Sequence, residues 1–570
     1  MDDVDAAQAE IARSMFVSGD WVSPRMNGIV FFDKPPLVYW EMAASFHLFG
    51  VHDWSARLPL ALAVVLLCWL TYRFGRWGFG DERAGLYAGV ALSTCLGLFL
   101  FTRILIPDAS IVLTIAAVIW IWLRQLEPDQ PSSPPLAVLM GAVFAAGLLL
   151  KGLIGIVFPI GACMLYMAIT GQLFRWESWK RLHLVPVIAV MIGIAAPWHI
   201  LATLRNPPYF DIVKQGGPGQ YHGFFWFYFV NEHILRFLGR RYPFDYNTVP
   251  RLWFWLFNLL WLFPWSVFLP GAVKLQYRPV TRAGRVRLMC LCWIAVVMVF
   301  FTFSTTQEYY SMPIYPALAL LIGSAMAESE QWVRIGRRVL IGIFAVLFVA
   351  LGGLLLAVRN TPAAGELADA LTQHPEMYTL SLGHINDLTL AAFAYLRLPL
   401  AVAAFSFAFG ALALWLAGKS VGRIVLVTAI TMIFFLQAAR IAMVAFDSYM
   451  GSYPLAVALQ QSPPGQLIEA NAYYSFDSVF FYTGRNTLLL NGRTMNLEYG
   501  SWQPGAPQMF IDDAEFARLW NQPSRWYLFA YAGEFARLKN VVDARTLHVV
   551  KESGGKFLLS NQPVGEVSLP

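Results

Sequence analysis

Twelve apolar stretches of about 20 residues constrain the fold of this chain more than any other feature. A bilayer core of about 30 Å is crossed by roughly 20 apolar residues in a helix, so each stretch predicts a membrane span. The stretches lie near residues 55–75, 83–104, 107–126, 135–152, 153–172, 183–204, 252–273, 285–304, 309–327, 335–357, 395–417 and 421–444. With 58% hydrophobic and only 13% charged residues, the 570-residue chain is too apolar for a soluble globular protein. We predict a polytopic α-helical membrane protein.

The distribution of Lys and Arg predicts the orientation of these spans. Cytoplasmic loops carry an excess of Lys and Arg, and alternate loops here are basic, most densely between residues 274 and 287. The other side then receives the longer segments, which are residues 1–54, 205–251, 358–394 and 445–570. We therefore expect three regions: a first external loop (1–54), a transmembrane domain (55–444) and a periplasmic or exterior domain (445–570).

The sequence argues against ATP-driven transport and against two structural uses of cysteine. The sequence has no GxxxxGK[ST] phosphate-binding loop, which argues against ATP-driven transport. All five cysteines (Cys68, Cys95, Cys163, Cys290, Cys292) fall inside predicted spans, which argues against a disulfide framework or a thiolate metal site.

The last 126 residues differ in sequence pattern from the rest of the chain. Short β-prone runs such as "QLIEANA", "RWYLFAY" and "LHVVKES" alternate with helix-like stretches such as "DDAEFARLW". This alternation predicts a small α/β domain.

The first external segment contains acids and a lysine that are candidates for chemistry. Asp3 precedes, and Asp5 begins, an amphipathic stretch over 5–16, which predicts a helix along the membrane interface. Further on, Lys34 stands in the sequence Asp33-Lys34-Pro35-Pro36, where two prolines stiffen the backbone. Lys34 is suited to hold a lipid-linked phosphate; the alternative is an interfacial lysine that reaches toward headgroups.

Two further charges stand at the ends of predicted spans on the same side. Asp108 follows Pro107, where a carboxylate also caps the next helix. Lys151 lies in the almost wholly apolar run "LLLKGLIGIVFP", and a charge at that depth costs a few kcal/mol, which favours a functional role. The closeness of two spans requires a tight turn at Lys151-Gly152.

The external loop at 205–251 carries the densest set of charges beside aromatic residues. Glu232, Arg236 and Arg240 are spaced at i, i+4 and i+8, and His233 adjoins them, which predicts one helical face with an acid and two bases. Arginines offer bidentate phosphate recognition; the alternative is an interfacial helix whose salt bridges satisfy one another.

Tyr310, with Tyr309, stands at the outer start of a span, where an aromatic belt is the ordinary interpretation. The predicted topology nevertheless brings the acids, Lys34, Lys151, Arg236 and Tyr310 to one membrane face. This convergence predicts a site for a substrate with an anionic group and a lipid tail.

At this point the sequence resembles the GT-C glycosyltransferases, in the branch that contains bacterial 4-amino-4-deoxy-L-arabinose transferase and the protein O-mannosyltransferases. The resemblance rests on "AEIARSM", "SGDWVSPRMNG", "DKPPLVYW", "TRILIPDA", "LLLKGLIGIVFP", "NEHILRF" and "YYSMPIYPALALL", in family order. It implies transfer of a sugar, with inversion, from a polyprenyl-phosphate donor to a lipid A-like glycolipid, a glycan or a protein. It places this reaction at the outer face of a bacterial inner membrane.

The resemblance also implies roles for individual residues. It assigns an acid at the reaction centre to Asp3 or Asp5, and donor-phosphate binding to Lys34, Lys151, Arg236 and Tyr310. The chain departs from the family in that Asp3-Val4-Asp5-Ala6-Ala7-Gln8 replaces an Asp-Glu-x-Arg-Tyr pattern, and Asp33 stands where Glu is usual. A divalent metal ion on Asp3 and Asp5 stays an open possibility.

Two expectations complete the prediction. The family has a membrane helix before this first loop, so we expect about 20 apolar residues to precede Met1 in the native protein. The alternative function is a transporter or flippase of a lipid-linked precursor, which predicts polar residues and broken helices near the membrane midplane. A non-catalytic scaffold is a third interpretation, and it needs no converging charges.

Overall fold

The computed structural model describes residues 1–244, 248–372 and 383–564. Its first segment contains helix α1 (Asp3–Ser18), the hairpin β1 (Arg25–Met26) and β2 (Ile29–Val30), and helix α2 (Leu37–Phe49). The Asp2 side chain accepts a hydrogen bond from the Asp5 amide at the start of α1, and Gly19, at a φ of 72°, ends the helix. The predicted amphipathic helix is present, but most of its residues are buried.

The membrane domain follows as a series of helices. They are α3 (Asp53–Phe79), α4 (Glu82–Ser93), α5 (Leu96–Phe101), α6 (Asp108–Leu126), α7 (Pro134–Lys151), α8 (Ile154–Ile169), α9 (Trp176–Leu182), α10 (Leu184–Arg205), α11 (Gly223–Phe225), a π-helix (Trp226–Leu235), α12 (Arg251–Trp261), 3₁₀ segments (Trp265–Lys274 and Glu308–Ile314), α13 (Arg282–Thr302), α14 (Tyr315–Glu328), α15 (Glu330–Ala357), short 3₁₀ turns (Leu367–Ala370 and Gly383–Asp387), α16 (Leu390–Tyr395), α17 (Arg397–Leu416), α18 (Val421–Ala445) and α19 (Asp447–Met450).

Within the described residues, nine of the twelve predicted stretches form helices long and apolar enough to cross a membrane. The other three are shorter or broken. The stretch at 83–104 divides into α4 and α5, the stretch at 153–172 is the 16-residue helix α8, and the stretch at 252–273 bends by 100° between α12 and its 3₁₀ continuation. The multi-pass helical fold is confirmed, whereas the count of twelve is not.

The break between α4 and α5 is stabilised by contacts from a distant part of the chain. The Leu96 amide donates to the Phe263 carbonyl at 3.1 Å, and the Trp265 indole nitrogen donates to the Thr94 hydroxyl at 3.0 Å. These bonds satisfy backbone and side-chain groups at a helix end, so the chain can interrupt its helix inside the apolar region.

The C-terminal region is a six-stranded mixed sheet with helices. Its elements are α20 (Tyr453–Gln461), β3 (Gln466–Ala470), α21 (Asp477–Thr483), with the 3₁₀ turn Tyr473–Ser475 before it, β4 (Leu488–Leu490), α22 (Met495–Ser501), β5 (Phe510–Ile511), α23 (Asp513–Trp520), β6 (Trp526–Tyr531), α24 (Ala532–Leu538), the 3₁₀ turn Ala544–Thr546, β7 (His548–Ser553) and β8 (Lys556–Ser560). The strand order is β5-β4-β3-β6-β8-β7, with parallel pairing from β5 to β6 and antiparallel pairing from β6 to β7. The predicted α/β texture is therefore present.

The C-terminal domain contacts each of the other three predicted external segments. The Asn27 side chain exchanges two hydrogen bonds with the backbone of Thr487, at 2.9 and 3.0 Å, and the His222 amide donates to the Tyr499 hydroxyl at 3.1 Å. The amide of Gly554 donates to the Glu366 carboxylate. The C-terminal sheet thus packs on the first segment and on the two long loops, at one end of the helices.

Candidate active site

A cavity of about 290 Å³ gathers most of the predicted site residues beneath the C-terminal domain. Eight of the eleven predicted residues line it. They are Asp33, Lys34, Asp108, Lys151, Glu232, His233, Arg236 and Tyr310. Asp3, Asp5 and Arg240 do not belong to its lining.

Asp33 and Lys34 enter the cavity from the loop between β2 and α2. The Lys34 Nζ atom donates to Asp33 Oδ2 at 2.7 Å, and Arg241 Nη2 lies 3.7 Å from Asp33 Oδ1. Burial alone would raise the pKa of Asp33, but Lys34, Arg241 and Arg236 together lower it to about 2. The same pairing outweighs burial at Lys34 and raises the pKa of that ammonium. Both groups are therefore charged near neutral pH.

Lys151 and Asp108 form the second ion pair of the cavity. Lys151 is the last residue of α7, and the predicted tight turn follows it at Gly152, whose φ is 71°. Lys151 Nζ donates to Asp108 Oδ1 at 2.5 Å and lies 5.1 Å from the centre of the Tyr310 ring. Asp108 Oδ2 is buried and has no hydrogen-bond partner among the described residues. One carboxylate oxygen at this site thus has unused accepting capacity.

The π-helix presents Glu232 and Arg236 to the same cavity. Arg236 Nη1 donates to Glu232 Oε2 at 2.7 Å, and Nη2 of the same guanidinium donates to the Tyr310 hydroxyl at 3.0 Å. The predicted acid–base pair at i and i+4 is present. Its link to Tyr310, 74 residues away, is a tertiary contact.

Arg241, which the sequence analysis missed, takes the place expected for Arg240. The helical segment ends before Gly239, whose φ is 68°, so Arg240 is exposed and the predicted i+8 position on the helical face is wrong. Arg241 is 4% exposed, and its Nη2 atom lies 2.5 Å from Glu232 Oε1. The same nitrogen donates to Asn496 Oδ1 at 2.5 Å, which ties the C-terminal domain to the cavity. The adjacent arginines in "GRRYPF" were the available signal, but only the turn decides between them.

His233 supports the backbone of the turn after Lys151. Its Nε2 atom accepts a hydrogen bond from the Leu153 amide at 3.1 Å, and Nδ1 lies 2.6 Å from the Tyr228 carbonyl oxygen. Burial lowers the pKa of this imidazole, which matches a neutral ring that donates from Nδ1 and accepts at Nε2. A Cβ atom on Gly152 would lie 2.4 Å from His233 Nε2, so only glycine fits between them.

Part of the cavity wall is apolar. It is formed by side chains of α8, α13 and the segment after the π-helix, namely Ile154, Val157, Phe158, Phe237, Phe300 and Phe301. The cavity therefore offers both charged groups and an apolar surface that suits a hydrocarbon chain.

Asp3 lies among side chains of the C-terminal domain. Its carboxylate pairs with Lys556 Nζ at 2.6 Å and accepts hydrogen bonds from the hydroxyls of Ser452 and Ser478 at 2.9 and 2.6 Å. Asp3 is 4% exposed and Lys556 is 2% exposed. The contacts of Asp3 thus join α1 to the sheet domain.

Asp5 is bonded to the segment that leads into α6. It forms an ion pair with Arg57, and its Oδ1 atom accepts a hydrogen bond from the Leu105 amide at 2.6 Å. Asp3 and Asp5 therefore hold separate partners. The described residues contain no group of three or more His, Cys, Asp or Glu side chains suited to a metal ion.

Comparisons with known proteins bear on the fold and on these residues. Residues 33–200 match the family described as dolichyl-phosphate-mannose-protein mannosyltransferase. The matched segment includes Asp33, Lys34, Asp108 and Lys151. A crystal structure of ArnT from Cupriavidus metallidurans bound to undecaprenyl phosphate has a similar fold, with a TM-score of 0.77. Its sequence is 22% identical to this one, and the match covers 98% of this chain and 93% of that chain.

The chain shares the fold of this ArnT structure. An ArnT structure in the apo state gives a TM-score of 0.74. The resemblance that the sequence motifs predicted is confirmed, and the fold shared with ArnT accounts for the long apolar helices.

Curated relatives match part of this chain. An undecaprenyl phosphate-alpha-4-amino-4-deoxy-L-arabinose arabinosyl transferase from Enterobacter sp. (strain 638) is 25% identical over 321 residues, which are 55% of this chain and 53% of the relative. The protein of the same name from Erwinia tasmaniensis is 26% identical over 366 residues, or 61% of each chain. The chain thus spans between half and two thirds of the length of these relatives.

Proposed function

We propose that this protein transfers a sugar from a polyprenyl-phosphate donor to an acceptor of the cell envelope. The observation that carries the proposal is the cavity itself, where Lys34, Lys151, Arg236 and Tyr310 surround a space with an apolar wall. A lipid-linked phosphate combines the two chemistries that this cavity offers. The described lining residues suit a lipid-linked phosphate, and the proposal needs no soluble nucleotide.

The names of the relatives support a finer assignment. We propose that the donor carries an aminopentose of the 4-amino-4-deoxy-L-arabinose class on undecaprenyl phosphate, and that the acceptor is a lipid A-like glycolipid rather than a glycan or protein. We also propose that the cavity and the C-terminal domain face the periplasm from the inner membrane. The density of Lys and Arg in the loops at the opposite ends of the helices supports this orientation.

The charges of the site suit a leaving phosphate. The donor is a phosphodiester with one negative charge, and breaking its bond to the anomeric carbon leaves a polyprenyl phosphate with up to two. Lys34, Lys151, Arg236 and Arg241 face the carboxylates Asp33, Asp108 and Glu232, so these seven described side chains together carry one net positive charge. Cations fixed beside the departing oxygen stabilise the charge that develops there.

The acceptor hydroxyl needs a group that takes its proton as its oxygen bonds to the anomeric carbon. Of the carboxylates that line the cavity, Asp33 and Glu232 have a cationic group within 4 Å of each oxygen, whereas Asp108 pairs with Lys151 through Oδ1 only and its buried Oδ2 has no partner among the described residues. We therefore propose Asp108 as the general base. Attack from the face opposite the phosphate inverts the anomeric carbon. The catalytic role predicted for Asp3 or Asp5 stays a prediction, and the contact of Asp5 with Leu105 supports a positioning role in the segment before Asp108.

A transfer assay tests the proposal. The full chain in lipid nanodiscs receives undecaprenyl-phosphate-linked 4-amino-4-deoxy-L-arabinose and lipid A, and mass spectrometry follows the product. We expect Lys34→Ala to lower kcat/KM roughly 100-fold, because loss of a charged hydrogen bond to the phosphate costs about 2–3 kcal/mol. Lys214→Ala is the matched control, since Lys214 is exposed in the same external region. Movement of the donor lipid between leaflets without transfer would favour the transporter or flippase.

A further inference from the structure

A cluster of charged side chains lies where α3 and α6 end and α13 begins. Glu127 follows α6 and is 2% exposed. Its Oε1 atom accepts a hydrogen bond from Arg285 Nη2 at 2.5 Å, and its Oε2 atom lies 3.4 Å from Arg282 Nε. Arg181, on α9, donates to the backbone carbonyls of Gln125 and Glu127 at 2.9 and 2.6 Å. Three arginines therefore contact one acidic residue.

Two tryptophans connect this cluster to a fourth arginine. The guanidinium carbon of Arg282 lies 5.2 Å from the centre of the Trp77 ring, and that of Arg124 lies 5.8 Å from the centre of the Trp120 ring. The two indole rings pack edge to face, with their centres 6.5 Å apart. The cations and rings thus form one continuous group across α3, α6 and α13.

This group holds hydrogen-bond donors that the described part of the chain does not satisfy. Among those residues, no acceptor receives a hydrogen bond from the guanidinium of Arg124 or Arg282, and Arg124 takes part in no ion pair. The indole nitrogens of Trp77 and Trp120 are buried and have no acceptor there either. Buried donors without an acceptor are rare in folded proteins, and each costs free energy. A ligand rich in acceptor oxygens would satisfy them.

The charges of the group do not balance. Arg124, Arg181, Arg282 and Arg285 carry four positive charges against the single negative charge of Glu127, so these five side chains have a net charge of +3. Like charges held together in a fold repel one another unless an anion joins them. Guanidinium groups bind phosphate oxygens with charge-assisted hydrogen bonds, so the group suits a phosphate.

The position of the group favours the phosphate of a membrane lipid over a soluble phosphate. Helix α6 begins at Asp108 in the cavity, is long enough to cross a membrane, and ends at this group, which therefore lies at the level of the lipid headgroups. Leu66 and Leu62 stand about three and four turns before Trp77 on the same side of α3, and both are exposed. These leucines offer an apolar surface to acyl chains below the arginines. Basic pockets between membrane helices bind anionic headgroups in this way.

We infer that Arg124 and Arg282, stacked on their two tryptophans, form a binding site for the phosphate group of an anionic phospholipid. The site lies at the other end of α6 from the cavity and is independent of the proposed sugar transfer. Binding joins the ends of α3, α6 and α13 through one anion, so the lipid stabilises the packing of these three helices.

Native mass spectrometry of the full chain in detergent tests the site. The probes are phosphatidylglycerol and phosphatidylethanolamine with the same acyl chains; the ammonium group of the second lipid cancels the charge of its phosphate. We expect the wild-type protein to bind phosphatidylglycerol at least tenfold more tightly than phosphatidylethanolamine. We expect Arg124→Gln/Arg282→Gln to lose this preference, since a charged hydrogen bond contributes roughly tenfold in affinity.

Arg338→Gln/Arg423→Gln is the matched control, because both arginines are exposed at the same end of the helices, on α15 and α18. The control removes the same number of charges and should keep the preference. Loss of the preference in the control to the same extent would overturn the inference, since net charge alone would then explain the binding. Retention of the full preference in Arg124→Gln/Arg282→Gln would overturn it as well.

A competition with inorganic phosphate distinguishes a lipid site from a site for a soluble anion. We expect inorganic phosphate at the same concentration to leave phosphatidylglycerol bound, because it lacks the acyl chains that contact α3. Displacement of the lipid by an equal concentration of inorganic phosphate would overturn the assignment to a phospholipid.

Thermal unfolding provides a second readout in a variant that keeps the contacts of Glu127. Arg124→Gln removes no hydrogen bond to a described residue, so this single variant should fold as the wild type does. Phosphatidylglycerol should raise the melting temperature of the wild type, because it binds the folded state, and should raise that of Arg124→Gln by a smaller amount. An equal rise in the two proteins would contradict the inference.

Discussion

Arg236 and Tyr310 join the π-helix to the 3₁₀ segment that precedes α14, through a hydrogen bond of 3.0 Å from Nη2 to the phenol oxygen. The bond fixes the direction of a guanidinium whose other nitrogen is held by Glu232. Tyr310→Phe removes this bond and keeps the ring beside Lys151. We expect a roughly tenfold increase in donor KM, because a hydrogen bond to a charged group contributes about 1.5 kcal/mol net. Tyr309→Phe is the control, since its ring also faces Lys151 at 5.4 Å; an equal effect of both changes would contradict the assignment.

Arg241 and its neighbour Arg240 provide a paired test of the cavity. Arg241→Met leaves Glu232 without one of its cations and breaks the bond to Asn496, so we expect both a lower melting temperature and a loss of donor binding of at least tenfold. Arg240→Met changes an exposed residue and should leave both unchanged. Donor binding measured by fluorescence quenching, with thermal unfolding followed on the same samples, distinguishes the two variants.

Asp108→Asn keeps the shape of the side chain and removes its basicity. We expect kcat to fall by about 10²–10⁴ while the KM for the donor changes little, since a general base contributes in the transition state. Asp20→Asn serves as the control, because Asp20 pairs with Arg205 in the same external region and does not line the cavity. Near-normal kcat in Asp108→Asn would contradict the proposed proton transfer to Asp108. The base would then be sought at Asp3 or Asp5, with the variants Asp3→Asn and Asp5→Asn.

Asp3→Asn should act on stability, because it leaves Lys556 as a buried charge without its carboxylate. We expect a loss of about 3–5 kcal/mol in the free energy of unfolding of this region. The double change Asp3→Asn/Lys556→Met removes the unpaired charge and should recover much of the loss. Limited proteolysis at the junction of α1 with the C-terminal domain measures both. A stable but inactive Asp3→Asn protein would instead support the catalytic role that the sequence predicts.

Glu10 predicts how the attachment of α1 responds to pH. Burial, opposed by the neighbouring Arg13, raises the pKa of Glu10 from 4.5 to about 7. At Glu10 the folded state binds a proton more tightly than the unfolded state. The contribution of this residue to the free energy of unfolding is therefore greatest below pH 4.5 and falls as the pH rises to about 7. The change amounts to roughly 3 kcal/mol. Glu10→Gln should flatten the dependence of the melting temperature on pH over this interval, and an unchanged slope would contradict the prediction.

Local sequence pattern was sufficient for most of the architecture and for the choice of eight residues that line one cavity, because span length, Lys and Arg bias and short motifs are encoded within neighbouring residues. It could not find the break at Thr94 and Cys95, which depends on Phe263 and Trp265. It chose Arg240 over Arg241 because i+8 spacing assumes that the helix continues, whereas the chain turns at Gly239. The partner of Asp3 is Lys556, 553 residues away, and no local pattern relates them.

The ion pairs of the cavity have a consequence for turnover. Lys34 and Lys151 are held by Asp33 and Asp108, and Arg236 by Glu232, so an arriving phosphate exchanges partners with carboxylates already present. A singly charged donor gains less from this exchange than the doubly charged group formed as the sugar departs, which competes better for the same cations. The cavity therefore binds the departing phosphate more tightly than the phosphate of the intact donor, which lowers the barrier to transfer. The polyprenyl phosphate product should for the same reason be an effective inhibitor.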